Sequence, residues 1–298
     1  MKNKFSIYSF YRFTEIINKK LIKNNLDQHL SHYNVRGTIL LADEGINGTL
    51  CASHKDLYEK LKFIRNLLKI RNLNLKVNTS TFLPFNRMKV RLKKEIVSLG
   101  KGDIDVTKNY KTYVKPSEWN ELIKNKDIKI IDVRNTFEID IGKFKNAINP
   151  KTKSFREFPY SLTKMNITKN DTIAMYCTGG IRCEKASAFL KINGYKNVYQ
   201  LKGGIINYLD YSKKSSHDSL WKGECFVFDN RVTINKDLDK GKYIQCYGCR
   251  RPITKKDTKS RYYKKGVFCP NCFNERSDQQ KKRSQSRQNQ IELSKLNI

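Results

Sequence analysis

The stretch TIAMYCTGGIRCEKASAFLKIN, residues 172–193, decides the fold of the middle of this chain. Residues 172–176 are a short apolar run that predicts a buried strand, and the loop 177–183 follows with two glycines and two cysteines. Residues 184–193 then predict a helix. Because open α/β folds place their sites in loops at the carboxyl ends of strands, this loop is the first candidate for a functional site.

The sequence on either side of this stretch continues the pattern of strand and helix. Residues 128–133 and 198–201 are further short apolar runs suited to buried strands, and residues 117–125 predict a helix. Alternating strands and helices predict an open α/β domain. Residues 110–114 indicate a linker in front of it. We therefore place this domain at residues 112–214.

The first hundred residues predict a different order, with strand, helix, two strands, helix and strand. The motif DEGING at 43–48 indicates a hairpin turn in which Asn47 tolerates positive φ, and Ser53 is placed to cap the second helix. This order predicts a ferredoxin-like βαββαβ domain over residues 1–100. The predicted elements are strands at 4–13, 35–41, 49–52 and 75–81, helices at 14–32 and after Ser53, and an extended segment at 88–99.

Cys177 is the residue whose setting indicates chemistry most strongly. Gly179 and Gly180 let the loop curl so that backbone N–H groups point at the sulfur, and a helix begins behind the loop. The helix N-terminus and the Arg182 guanidinium would lower the pKa of the thiol and favour a thiolate at neutral pH. A cysteine at a strand end without such neighbours is usually an inert buried thiol. The glycines and the arginine therefore carry the prediction of a reactive cysteine.

A second group of cysteines forms two CxxC pairs near the C-terminus, Cys246 with Cys249 and Cys269 with Cys272. Each pair lets two thiolates reach one ion from a tight turn, and the spacing predicts a closed tetrahedral zinc site. A closed site has no position open for substrate, so we assign it to folding or RNA docking. The alternative is a knuckle that has lost its metal. We place a cysteine-rich module at 215–275 and a basic tail, frayed or a lone helix, at 276–298.

Several motifs in combination resemble known families. Residues 177–182 resemble the six-residue active-site loop of rhodaneses. Their upstream signature is matched by IDVR at 131–134 with Glu138, Gly142, Ala147, Ile148 and Pro150. The longer motifs resemble the rhodanese-domain tRNA uridine hydroxylases (the TrhO family): LLADEGINGT at 40–49, MYCTGGIRCEKASAFL at 175–190, LKGGIINYL at 201–209 and WKGECFVFDNRV at 221–232. This resemblance covers roughly residues 4–272.

The resemblance implies a bacterial enzyme that uses molecular oxygen to make 5-hydroxyuridine at the tRNA wobble position. It implies that Cys177 is the active-site cysteine, and we predict Cys177 and Arg182 as the catalytic residues. Asp132 and Arg134 match a paired signature, which we interpret as a salt bridge that fixes the loop or as a purely architectural pair. Cys183 either resolves an oxidised Cys177 or is a small buried helix residue. The expected cradle of the sulfur consists of Thr178, Gly179, Gly180, Ile181 and Arg182.

Other functions remain open from the sequence. The protein could be a sulfurtransferase that carries a persulfide on Cys177, or a non-catalytic RNA-binding protein, although retention of Cys177 and Arg182 argues against the latter. Hydroxylation rests on the resemblance, since the sequence has no dinucleotide, facial-triad iron or haem motif that would explain oxygen activation. One chemical hypothesis is that the Cys177 sulfur adds to uracil C6 and makes C5 nucleophilic. Asp43 and Glu44 are either binding residues or parts of a structural hairpin.

The composition bears on partner and location. Sixty basic and 28 acidic residues give a formal net charge of +32, which would attract a polyanion such as tRNA. Lys, Asn and Ile are frequent throughout, however, so drift toward A- and T-rich codons explains the excess equally well. Tyr176 and Phe155 are candidates for stacking a flipped base.

No apolar run in the sequence has the length of a membrane span, and the first 13 residues lack the apolar core of a signal peptide. The cysteine pattern suits a reducing compartment. We therefore predict a cytoplasmic protein that acts on tRNA, has no membrane association and has no stable protein partner.

Overall fold

The N-terminal part of the chain is a five-stranded sheet in the computed structural model, which describes residues 5–31, 34–102, 104–108, 112–215 and 218–296. Tyr110 and Lys111 of the predicted linker lie outside the described residues. The elements are β1 (Phe5–Phe13), α1 (Lys19–Ser31), β2 (Arg36–Ala42), β3 (Gly45–Ala52), α2 (His54–Leu67), β4 (Asn74–Ser80) and β5 (Met88–Leu92). The strand order is β4-β1-β3-β2-β5, with β5 parallel to β2 and the other neighbours antiparallel. The first four strands confirm the ferredoxin-like βαββαβ prediction, and the predicted extended segment supplies the fifth.

Both helices cover the same face of this sheet. Alternate strand residues point toward them, because side chains of a strand alternate between its two faces, and Ser53 caps α2 as predicted, accepting a hydrogen bond from the Asp56 N–H at 3.2 Å. Burying these side chains contributes roughly 1.5–3 kcal/mol each. The core includes Tyr8, Phe10, Leu26, Leu30, Ile39, Leu50, Leu57, Leu61 and Ile64.

The predicted helix at 14–32 is wrong at its start. The helix begins only at Lys19, because the backbone N–H groups of Thr14 and Ile16 bond to carbonyl oxygens of the β2–β3 turn at 3.0 and 2.9 Å. This stretch is therefore not helical, and Ile17 is 80% exposed instead of lying on a buried helix face.

The predicted hairpin turn at 43–48 is shorter than expected. Only its first two residues turn, and β3 already begins at Gly45. The positive φ lies at Gly45 (148°) and not at Asn47, which is a strand residue. A Cβ on Gly45 would stand 2.1 Å from the Arg12 carbonyl oxygen, so the glycine is needed because β1 passes so close.

The middle of the chain is an α/β unit with a parallel sheet of order β6-β10-β9-β7 and a small antiparallel pair, β8 with β11. Its elements are β6 (Tyr113–Val114), α3 (Pro116–Lys124), β7 (Lys129–Asp132), α4 (Thr136–Ile139), β8 (Gly142–Phe144), α5 (Phe158–Leu162), β9 (Thr172–Tyr176), α6 (Ile181–Ile192), β10 (Asn197–Leu201), α7 (Gly204–Ser215) and β11 (Trp221–Gly223). Helix α6 begins three residues earlier than predicted. The loop after β9 therefore consists of residues 177–180 alone.

The remaining elements are β12 (Cys225–Phe226), β13 (Thr233–Ile234), β14 (Ile244–Gln245), β15 (Pro252–Ile253) and α8 (Asp278–Leu296). The chain divides into one unit of residues 1–225 with 236–239 and a second of residues 226–235 with 240–298. In the second unit the predicted tail is a helix, but it is not alone. Ser284 and Gln288 are buried, and Arg276 bonds the Gly248 carbonyl at 2.6 Å.

Within the described ranges, no helix combines the length and the apolar composition that crossing a bilayer requires.

Candidate active site at Cys177

Cys177 directly follows β9, at the carboxyl edge of the parallel sheet, and its side chain is buried. The chain passes from Cys177 into α6 through a tight loop, which requires a φ of 97° at Gly180. The Gly180 N–H donates to Cys177 Sγ at 3.1 Å. A Cβ placed on Gly179 would have no described atom within 4 Å, so the loop has open space at this residue.

The Cys177 thiol is acidified by its surroundings. Burial raises its pKa, but a hydrogen bond from the Cys183 thiol, the charge of Arg182 and the backbone N–H groups of Cys183 and Gly180 together lower that pKa to about 6. Burial and the contact with Cys177 raise the pKa of Cys183 well above its ordinary value. At neutral pH the negative charge therefore resides on Cys177, and Cys183 is a hydrogen-bond donor to it.

Arg182 lies in the first turn of α6 and is held by Glu138 of α4. Its Nη1 and Nη2 donate to Glu138 Oε1 and Oε2 at 2.7 and 2.8 Å, and Nη2 is also 3.4 Å from Thr178 Oγ1. Burial opposes ionisation of Glu138, but Arg182 outweighs it and lowers the pKa of that carboxyl. The guanidinium is thus fixed behind the loop by a bidentate pair.

The motif at 201–209 holds the Cys177 loop from the other side. The N–H groups of Ile205 and Ile206, at the start of α7, donate to the carbonyl oxygens of Cys177 and Thr178 at 3.0 and 3.1 Å. Gly204 has a φ of 69°, and a Cβ there would stand 2.4 Å from the Cys177 carbonyl oxygen. Glycine is therefore required for α7 to approach the loop.

Asp132 and Arg134 form the predicted salt bridge, fully buried, with Nε–Oδ1 and Nη2–Oδ2 distances of 2.9 and 2.5 Å. The remaining Arg134 donors reach the carbonyl oxygens of Glu138 and Gly142 at 3.1 and 2.6 Å. The pair holds the segment from α4 to β8, and through it the partner of Arg182. These contacts favour the architectural interpretation of the pair. It affects the Cys177 loop only indirectly, through Glu138 and Arg182.

The N-terminal sheet also touches this site. Tyr11 of β1 donates its hydroxyl to Glu184 Oε1 at 2.9 Å, and Tyr113 donates to the same oxygen at 2.9 Å. The Tyr11 hydroxyl lies 3.2 Å from where a Cβ of Gly180 would stand. Lys76 of β4 places its Nζ 5.5 Å from the centroid of the Tyr11 ring. Side chains of β1 and β4 therefore line the approach to Cys177.

Glu44 of the hairpin has a structural position. Its Oε2 pairs with Lys185 of α6 at 2.7 Å, and its Oε1 accepts the Ile96 N–H at 2.6 Å. Lys185 also pairs with Glu95 at 2.5 Å. Asp43 pairs with Lys19 at 2.6 Å on the surface. These contacts favour the structural interpretation of both hairpin acids.

The four C-terminal cysteines lie together in the second unit. Their Sγ atoms are all within 4.8 Å of one another, so they could hold a metal ion. Cys246 and Cys272 are separated by 4.0 Å, Cys249 and Cys269 by 3.9 Å, and Cys269 and Cys272 by 3.7 Å. The Cys269 N–H donates to Cys272 Sγ at 3.3 Å.

Comparisons with known proteins match the N-terminal and middle parts of the chain and identify its family. A family model described as the UPF0176 acylphosphatase-like domain matches residues 5–96, and one described as the rhodanese-like domain matches residues 115–210. A protein of Pelagibacter ubique (strain HTCC1062) named tRNA uridine(34) hydroxylase is 44% identical over 98% of this chain and 95% of its own. The chain belongs to the tRNA uridine(34) hydroxylase family. The resemblance stated from the motifs is thereby confirmed.

Two solved structures are each similar to about a third of this family member. A rhodanese-related protein from Thermoplasma volcanium is 24% identical and covers 34% of this chain and 92% of its own, with a TM-score of 0.28. A rhodanese-like domain protein from Staphylococcus aureus is 28% identical and covers 33% and 90%, also with a TM-score of 0.28.

The structure of this tRNA uridine(34) hydroxylase family member brings most predicted site residues together. Thr178, Gly179 and Gly180 form the loop, while Ile181 and Arg182 begin α6, where Ile181 packs against a cluster that includes Tyr11. The prediction that Tyr176 and Phe155 stack a flipped base is wrong. Tyr176 is fully buried against Phe144, Trp119 and Trp221, and Phe155 packs on Phe158.

Sequence reasoning missed the roles of Glu184, Tyr11, Tyr113 and Lys76 in this family member. No quoted motif contains Tyr11, Tyr113 or Lys76, and the motif at 175–190 contains Glu184 without indicating its partners. These residues meet only when the N-terminal sheet packs on α6. Glu138 was noted as part of the upstream signature, but its pairing with Arg182 could not be inferred from spacing.

Proposed function

We propose that this protein hydroxylates uridine 34 of tRNA at C5, with Cys177 as the catalytic nucleophile. The observation that carries the proposal is the acidified Cys177 thiol, cradled by the loop N–H groups, in a chain 44% identical over 98% of its length to a tRNA uridine(34) hydroxylase. A thiolate is the reactive form of cysteine, and a pKa of about 6 keeps it ionised near neutral pH.

The reaction can be written with its atoms and electrons balanced. The Cys177 thiolate forms a bond to C6 of the uracil, and the electrons of the C5–C6 double bond move toward O4. C5 then takes one oxygen atom from molecular oxygen, while two electrons and two protons from a reductant convert the other atom to water. Loss of the C5 proton and of the thiolate restores the double bond and leaves 5-hydroxyuridine.

The residues around the sulfur support this step in distinct ways. The Gly180 N–H and the Cys183 thiol hold the negative charge on Cys177 between turnovers. Arg182 is a positioning residue, because its donors are engaged by Glu138 and Thr178. The space at Gly179 is where the uracil would approach.

The metal at the four C-terminal cysteines is proposed to be zinc. Thiolates bound to one tetrahedral zinc at about 2.3 Å are about 3.8 Å from each other. Three of the sulfur pairs, at 3.7–4.0 Å, are close to this value, and all four sulfurs lie within 4.8 Å of one another. Four cysteine ligands leave no open position. The zinc would therefore stabilise the fold of the second unit, whose short strands bury little apolar surface.

The substrate, location and charge follow from this proposal. An enzyme that acts on tRNA would work in the cytoplasm. Part of the net charge of +32 would then serve to bind tRNA, because each contact with a phosphate releases counterions. Binding of tRNA should then weaken steeply with salt. No stable protein partner is proposed.

The test is nucleoside mass spectrometry of tRNA from cells with and without the gene, followed by reaction of the purified protein with unmodified tRNA under ¹⁸O₂. The proposal expects 5-hydroxyuridine that carries the heavy oxygen. A thiolated uridine has the same nominal mass, so accurate mass and chromatographic retention must separate the two. Finding the thiolated nucleoside would establish the persulfide-carrying sulfurtransferase, and an unchanged nucleoside profile would favour a non-catalytic RNA-binding protein.

A further inference from the structure

Lys76 is a cation at the approach to Cys177 that comes from the N-terminal sheet. In the register of β1 and β4, Lys76 lies opposite Ser9, so it shares a face with Tyr11, two residues further along β1. That face is the one turned away from α1 and α2, whose core contains Tyr8 and Phe10 instead. Lys76 is partly buried and its Nζ lies over the Tyr11 ring.

The surroundings of Lys76 contain negative charge but no ion-pair partner. Among the described residues, the contact of its Nζ is with the Tyr11 ring, and no ion pair or hydrogen bond to a carboxylate engages it. The Glu184 carboxylate, which is joined to Tyr11, accepts hydrogen bonds from the Tyr11 and Tyr113 hydroxyls. Burial lowers the pKa of Lys76 to about 8, although the charges of Cys177 and Glu184 act to raise it. A cation held in this way retains its donors for a ligand.

We propose that Lys76 is a further catalytic residue, which donates to O4 of the target uracil and stabilises the negative charge that addition of Cys177 to C6 places there. The inference rests on the proposed function. Adding the thiolate to C6 turns the neutral base into an enolate, whose negative charge lies on O4. A donor to O4 therefore binds the transition state more strongly than the substrate, and such an interaction lowers the activation barrier. The Tyr11 ring lies beneath the Lys76 ammonium group, and the Tyr11 hydroxyl is held by its hydrogen bond to Glu184. These two contacts fix the position of the ammonium group.

The addition step can be measured without oxygen. A uracil attacked at C6 can take a proton at C5 and then lose the original C5 hydrogen as the thiolate leaves, so tRNA tritiated at C5 of uridine releases tritium into water. No oxidant is consumed in this exchange. The full-length protein, purified without chelators, would be compared as the wild type, Lys76→Gln, Lys76→Arg and the matched control Lys62→Gln. Lys62 is an exposed lysine on α2, the helix on the opposite face of the sheet.

Loss of one donor to a developing oxyanion lowers kcat about 10²–10³-fold, so Lys76→Gln should slow tritium release by about 100-fold or more with KM nearly unchanged. Lys76→Arg should recover much of the rate, and Lys62→Gln should match the wild type. The denaturation midpoint of Lys76→Gln should equal or exceed that of the wild type, because the folded state disfavours this charge. Equal release by wild type and Lys76→Gln would overturn the inference, and a rise in KM alone would show that Lys76 binds a phosphate instead.

The pH profile gives an independent readout. The titratable groups facing Lys76 are Cys177, Glu184 and Tyr11, and burial raises the pKa of Tyr11 so far that it stays protonated. The wild-type kcat/KM for exchange should rise through about pH 6 with Cys177 and fall above about pH 8 with Lys76. The upper limb should vanish in Lys76→Gln, and its persistence would contradict the assignment. A wild type that hydroxylates without exchange would refute this inference alone, whereas one that does neither would refute the proposed function as well.

Discussion

Arg182 and Glu138 face each other through two parallel hydrogen bonds of 2.7 and 2.8 Å, in the interior and directly behind the Cys177 loop. Each side chain therefore neutralises the charge of the other, which would otherwise be buried without a partner. The acidity of Cys177 depends on this pair, because Arg182 contributes to it only while Glu138 keeps it in place.

Removing one member of this pair should cost more stability than removing both. Arg182→Ala leaves the Glu138 carboxylate buried and unpaired, which typically costs about 3–5 kcal/mol. The double variant Arg182→Met/Glu138→Leu should recover most of that loss in urea unfolding, yet remain slow in tRNA hydroxylation because the charge beside Cys177 is gone. Equal destabilisation of the single and the double variant would show that the pair is not the source of the effect.

Cys177→Ser should abolish tRNA modification and leave the fold intact, since a serine hydroxyl in the same cradle is a far weaker nucleophile. Nucleoside mass spectrometry gives the activity and circular dichroism the fold. Retained 5-hydroxyuridine would remove Cys177 from the mechanism.

Cys183→Ala should move the Cys177 titration upward, toward the ordinary thiol value of 9.0, because the largest interaction that lowers the pKa comes from the Cys183 thiol. The ultraviolet absorbance of the thiolate, with Cys177→Ser as baseline, measures the shift. Because ionisation is easier in the folded protein, it stabilises the fold fully above about pH 9 and this contribution is lost as the pH falls through about 6. An unchanged titration in Cys183→Ala would assign the acidity to the backbone and Arg182.

Gly204→Ala should damage the site without touching any reactive group. A Cβ would stand 2.4 Å from the Cys177 carbonyl oxygen at a φ of 69°, so α7 must retreat and the loop must open. We expect lower activity, a higher Cys177 pKa and a loss of stability of roughly 1–3 kcal/mol. Gly102→Ala, where no described atom lies within 4 Å of the new Cβ, is the control and should behave as wild type. Full activity in Gly204→Ala would show that the loop does not depend on α7.

Metal analysis should find about one zinc per chain, because four thiolates saturate one tetrahedral ion. The double variant Cys246→Ser/Cys249→Ser should lose it, and limited proteolysis should then cut within residues 240–298. Cys51→Ala, in β3 and outside the cluster, should keep its zinc. Zinc-free wild-type protein prepared without chelators would contradict the assignment.

The local parts of this site could be predicted from the sequence because they depend on neighbours along the chain. Strand β9, the glycine loop and Arg182 are contiguous, so backbone geometry alone fixes how they surround Cys177. The two CxxC pairs were predictable for the same reason, since each pair already shares a turn.

What could not be predicted depends on contacts between distant segments. Tyr11 and Glu184 are joined across 173 positions of sequence. Nothing near Tyr11 in sequence distinguishes it from a core tyrosine, and the motif around Glu184 does not indicate which residues that carboxylate contacts. The early start of helix α6 and the late start of α1 were missed because tertiary contacts at Gly180 and at the β2–β3 turn override the pattern of apolar residues.

Two C-terminal arginines, Arg276 before helix α8 and Arg287 within it, bear on how the net charge of this protein should be counted. The guanidinium groups of Arg276 and Arg287 donate hydrogen bonds to the carbonyl oxygens of Gly248 and Tyr247, respectively. These are the two residues inside the first CxxC pair. If the proposed zinc binds there, this positive charge would offset the negative charge that four thiolates bring to one divalent ion. Part of the formal +32 would then be an internal counter-charge for the proposed metal site, and the electrostatic attraction for a nucleic acid would be smaller than the sequence total suggests.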